Sequence, residues 1–130
     1  MRVLLLAAVL STIVTLPGCR TLAPPERTAA PAGQPIRMVP GQQIVLTDGS
    51  TLRYTQVVAD SRCPPRVYCI HAGDADVAFQ FADAAQAPRR IVINSAPPAS
   101  VQAGAWQLRL LALDFGDTPA ATIQIDRAAR

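Results

Sequence analysis

Apolar side chains at every second position, in short runs broken by turn residues, constrain this chain more than any other feature. From Ile36 onward that period of two is the signature of half-buried strands, and no stretch shows the period of an amphipathic helix. Gln43 to Thr47 and Thr51 to Val58 flank Asp48-Gly49-Ser50, a Gly-containing turn that reads as the first hairpin. In the second run Leu52, Tyr54, Gln56 and Val58 share a face, with Gln56 breaking its apolar character. Ala75 to Phe81 places Val77, Phe79 and Phe81 on one face and Ala78 and Gln80 on the other. Arg90 to Asn94 aligns Ile91 with Ile93 before Pro97-Pro98 ends the strand, since proline lacks the ladder donor.

Trp106 to Asp114 is the longest run, with Trp106, Leu108, Leu110 and Ala112 on one face and Arg109, Leu111 and Leu113 on the other. Apolar residues on both faces predict a central strand that is partly covered on its second side. A turn at Gly116 to Pro119 and a strand at Thr122 to Asp126, with Ile123 and Ile125 inward, complete the pattern. The expectation is an all-β fold: a small antiparallel β-sandwich or partly open barrel of six to seven strands with one disulfide.

The N-terminus sets the expected compartment. Arg2 precedes an apolar run from Val3 to Leu16, interrupted by Ser11, Thr12 and Thr15, which fits an export signal. The run meets Pro17-Gly18 before reaching the roughly 20 apolar residues that a spanning helix needs. Leu16-Pro17-Gly18-Cys19 resembles the lipobox of bacterial lipoprotein precursors. That resemblance implies removal of residues 1–18 and acylation of Cys19, and hence membrane attachment through N-terminal acyl chains. Arg20, rather than Asp, after the acylated cysteine implies transfer to the outer membrane, with the domain facing the periplasm.

Residues 19–35 contain Pro24, Pro25, Pro31 and Pro35 with several alanines, the composition of an extended tether. At about 3.1 Å per residue in polyproline II such a tether reaches roughly 50 Å. Residues 36–130 are then a single β-domain. Without Arg2 the mature chain carries 11 Arg, no Lys and 9 acidic residues, a mild excess of two positive charges. Apart from Arg89-Arg90 the arginines are scattered, with no interleaved aromatics, which argues against nucleic acid as a partner.

Unusual residue types gather in one segment, Asp60-Ser61-Arg62-Cys63-Pro64-Pro65-Arg66-Val67-Tyr68-Cys69-Ile70-His71-Ala72-Gly73. Over residues 42 to 115 the chain resembles small bacterial envelope proteins that carry Asp-Ser-Arg-Cys-Pro, then valine, cysteine, an aromatic-rich pair and Ala-Gly before a strand. Ile70-His71 stands where that pattern has Val-Trp. The resemblance implies a β-sandwich with a disulfide-closed loop, and brings no activity with it. Cysteine parity leads to the same bond: with Cys19 acylated, Cys63 and Cys69 remain as a pair in an oxidising compartment. Asp60 and Ser61 suit backbone capping at the loop entry, and Arg62 can pair with Asp60 or Asp74.

Sharper chemistry has weaker support in this segment. Cys63, Cys69 and His71, with Asp74 or Asp76, lack the tight cysteine pair of zinc modules, so neither a metal nor another cofactor is expected. The one histidine has no nucleophile of the elbow type to activate, so catalysis is not expected. An alternative is a protease-inhibitor-like loop presenting Pro65-Arg66-Val67 as an extended segment, with Arg66 as its specificity residue. The leading expectation is a non-catalytic binding or structural accessory of the envelope. Its candidate contact loop includes Asp60, Arg62, Arg66 and His71, its partner is an envelope protein or cell-wall component, and edge strands offer a second route by strand addition.

Overall fold

The computed structural model describes residues 28–129. The expected signal peptide, the acylation site Cys19 and most of the expected tether lie outside the described residues. The strands are β1 (Thr28–Ala29), β2 (Pro35–Met38), β3 (Gln43–Val45), β4 (Thr51–Asp60), β5 (Ala75–Ala82), β6 (Arg89–Asn94), β7 (Ser100–Ala103), β8 (Trp106–Leu113) and β9 (Ala121–Arg127). No helix occurs among the described residues. Two four-stranded antiparallel sheets, β3-β4-β5-β6 and β2-β9-β8-β7, face each other, and β1 adds a two-residue parallel pairing to β3. The all-β sandwich with one disulfide is therefore the fold.

The inward residues follow from the alternation. Leu52, Tyr54, Val77, Phe79, Phe81 and Ile93 of one sheet meet Met38, Trp106, Leu108, Leu110, Ile123 and Ile125 of the other in a single core. Each such side chain removed from water contributes about 1.5–3 kcal/mol, the main term available to so small a domain. Tyr54 is fully buried, and its hydroxyl donates to the Pro119 carbonyl across the sandwich at 2.8 Å. Its ring meets Phe79 with centroids 5.2 Å apart.

Two face assignments made from strict alternation are corrected by β-bulges. In β4, Tyr54 pairs with Phe79 and Gln56 with Ala78, so Thr55 is an extra residue and its hydroxyl donates to the Ala78 carbonyl at 2.7 Å. A second shift between Val57 and Ala59 leaves Val58 46% exposed rather than inward. In β8, Leu110 pairs with Ile123 and Ala112 with Thr122, which makes Leu111 the extra residue. Past it Ala112 turns outward and Leu113 packs against the core. The apolar character of both faces thus records a bulge, which switches the face of every later residue, and not a covered second side.

Strands also occur where none were expected. Thr28–Ala29 and Pro35, assigned above to the tether, take part in sheet pairing, and Ala30 joins the core. Ser100–Ala103 forms the edge strand β7 beside β8.

Candidate functional site

The segment joining β4 to β5 is a paired arm that extends the sheet beyond its last rung. Asp60 lies opposite Ala75 in the ladder, and the pairing continues through Ser61 N–H to the Asp74 carbonyl and Cys63 N–H to the Ala72 carbonyl, both at 2.8 Å. The Ser61 hydroxyl donates to the Asp74 carbonyl at 3.0 Å and accepts from the Asp74 N–H at 3.1 Å. The arms approach so closely at Gly73 (φ 66°) that a Cβ there would sit 1.8 Å from the Ser61 carbonyl oxygen. Glycine alone fits that crossing.

Cys63 and Cys69 then close the arm as a disulfide, with Cα atoms 5.9 Å apart. Bridging so short a loop removes roughly 2 kcal/mol of unfolded-state entropy on the chain-entropy model. Inside it Pro64 to Val67 forms a turn closed by the Val67 N–H and the Pro64 carbonyl at 3.3 Å, with Arg66 in the left-handed region at φ 68°. Pro65-Arg66-Val67 is therefore a turn and not the extended segment that a protease cleft accepts. The geometry behind the inhibitor reading is absent.

Arg62 locks the arm to the opposite sheet. Its guanidinium grips Asp60 with Nε to Oδ1 at 2.9 Å and Nη2 to Oδ2 at 2.7 Å. It also donates to the carbonyls of Leu113 (2.6 Å) and Asp114 (2.9 Å) at the end of β8, and it stacks 4.0 Å above the Phe115 ring. The Arg62 side chain is only 13% exposed, so these bonds operate partly out of water. Bonding from Arg62 holds the Asp60 carboxyl below its ordinary value of 3.8, against the upward push of burial. Asp74 is engaged by Ser61 and not by Arg62.

The apex beyond this clasp is open to solvent. Tyr68 and Ile70 are essentially fully exposed (105% and 95%) and Val67 is half-exposed, with Arg66 and His71 exposed beside them. The candidate contact residues thus divide in two. Asp60 and Arg62 hold the arm in place, Cys63 and Cys69 staple it, and Arg66 and His71 stand on the presented surface. The contact residues expected from sequence do not include Tyr68 and Ile70. Their signal was available: two large apolar residues inside a segment bounded by proline and glycine have no core to enter. Among the described residues no group of three or more His, Cys, Asp or Glu side chains is placed to hold a metal.

Comparison of the chain with family models, with curated proteins and with solved structures finds no match.

Proposed function

We propose that this chain is a lipid-anchored lipoprotein of the outer membrane, facing the periplasm. In this reading it is a non-catalytic accessory that engages another envelope component through the arm between β4 and β5. The Cys63–Cys69 bridge is the observation that carries the reading. A bridge of this kind belongs to chains that fold in an oxidising compartment, which agrees with the export signal and with acylation at Cys19. It also spends its stabilisation on a rigid, solvent-facing apex, and preorganisation of that sort favours binding because less order is lost on contact.

Metabolic labelling with a palmitate analogue tests the anchor. The wild-type chain is expected to incorporate label and to lose 18 residues, and Cys19→Ala to remain unlabelled and uncleaved. Label retained by Cys19→Ala refutes the anchor. Crosslinking in cells from position 68 tests the apex, and crosslinks that arise equally from the β3–β4 hairpin count against a dedicated contact surface.

A further inference from the structure

The pairing of β1 fixes the direction in which the chain enters the sandwich. Thr28 lies opposite Ile44 in a parallel pairing, and Ile44 lies opposite Leu52 in an antiparallel one. β1 therefore runs antiparallel to β4, and its first residue, Thr28, faces the end of the sheet that carries Asp60 and the arm. Between the partners of Leu52 and Asp60, β5 advances six residues, from Phe81 to Ala75. That places the base of the arm ~20 Å from the level of Thr28. Cys19 precedes Thr28 by nine residues, a length of chain that covers at most ~30 Å. The pairing of β1 thus shortens the reach from the expected ~50 Å and leaves little slack beyond the base of the arm.

The chemistry of the apex suits a bilayer surface. Residues 64–73 include Arg66 and His71 but no Asp or Glu; at the base of the arm Asp60 is paired with Arg62 and Asp74 is hydrogen-bonded by Ser61. Tyrosine, with an apolar ring and a polar tip, settles at the headgroup level of a bilayer, and arginine is drawn to anionic headgroups. Two exposed side chains make a weak contact by themselves. An anchor that confines the apex within tens of ångströms of the surface turns that weak contact into substantial occupancy.

We propose that the Cys63–Cys69 apex dips Tyr68 and Ile70 into the headgroup boundary of an anionic phospholipid bilayer, with Arg66 on the lipid phosphates. The arm then acts as a second membrane contact that sets the orientation of the anchored sandwich. This rests on the reading of Cys19 as the acylated residue.

The test uses the acylated full-length mature protein with Tyr68→Trp, reconstituted in phosphatidylethanolamine–phosphatidylglycerol vesicles containing nitroxide-labelled lipids. Trp106 is 1% exposed in the core, so the parent protein supplies a constant background. Headgroup-level nitroxide is expected to lower the reporter emission at least about twofold, as befits an aromatic side chain at the interface. Adding Ile70→Asp is expected to remove that quenching while the protein still floats with the vesicles. A reporter that floats yet stays unquenched overturns the apex contact and leaves the anchor standing. Crosslinks from position 68 to an envelope protein, without quenching, assign the loop to that protein instead. If the mature chain recovered from cells for this reconstitution carries no acyl group, anchor and contact are overturned together.

Discussion

The two ends of the sandwich are latched by mirror-image chemistry and used differently. At the loop end an arginine is the centre: Arg62 follows β4 of one sheet and holds Leu113 and Asp114 of the other. At the hairpin end an aspartate is the centre. Asp48, between β3 and β4, accepts the Trp106 indole N–H at 2.7 Å and the Ser50 N–H at 3.0 Å. Arg127 approaches Asp48 at 3.6 Å and lies 4.2 Å over the Trp106 ring. The hairpin latch closes the core around Trp106 and displays no large apolar side chain, whereas the loop latch supports Tyr68 and Ile70 in open water. One end is finished by its latch; the other uses its latch as a platform.

The largest effect expected from breaking this pair is at the platform. Arg62→Ala removes charge-assisted bonds to one carboxylate and two carbonyls together with the stack on Phe115, and is expected to destabilise the domain by about 3 kcal/mol. Denaturant unfolding measures the loss, and hydrogen exchange is expected to accelerate at residues 61–74 first. Asp48→Ala strands the buried Trp106 N–H and is expected to cost about 1–2 kcal/mol, with exchange in the arm unchanged. If Asp48→Ala proves the more damaging, or if either variant loosens both ends equally, the latches are not independent.

How far each end could be read from sequence has a physical explanation. The hairpin end is local: Asp48-Gly49-Ser50 declares its turn, Gly49 supplies the positive φ of 84°, and the flanking alternation fixes the register. The staple of the loop end was legible from cysteine parity. Its clasp was not, because the carbonyls that Arg62 finds lie 51 and 52 residues away and carry no residue-type signal. The bulges at Thr55 and Leu111 left only traces, an interrupted face at Gln56 and apolar residues on both faces of β8. A one-residue insertion reverses the faces without changing composition. β1 and β7 were invisible because Thr-Ala and Ser-Val-Gln-Ala hold too few large apolar residues to show a period; the sheets beside them supply the reason to be strands.

Acid sharpens the comparison, since both latches contain a carboxylate held below its ordinary 3.8. At Asp60 the cause is bonding from Arg62. At Asp48 burial pushes upward, and the Ser50 N–H and hydroxyl, the Trp106 N–H and Arg127 together outweigh it. A carboxyl depressed in the folded state contributes stability that is present above its unfolded value and is lost as pH falls through the folded one. Stability is therefore expected to decline below about pH 4, with Asp60→Asn and Asp48→Asn each giving a shallower decline than wild type. Unfolding midpoints at steps from pH 5 to 2 test this, and equal slopes for wild type and both variants would contradict it.

The smallest effect on folding is expected where the platform ends. Tyr68 and Ile70 bury nothing, so Tyr68→Ser with Ile70→Ser removes no packed surface and opens no cavity. Substitutions at such positions change stability by less than about 0.5 kcal/mol. The double variant is expected to unfold within that margin of wild type, to keep the Cys63–Cys69 bridge, and to lose whatever contact the apex makes in the envelope. That combination separates presentation from architecture: side chains that hold the arm are costly to remove, and side chains that the arm displays are free to change. A loss of 2 kcal/mol or more on calorimetry would instead mean that the apex packs against the domain, and the contrast between a closed end and a presenting end would fail.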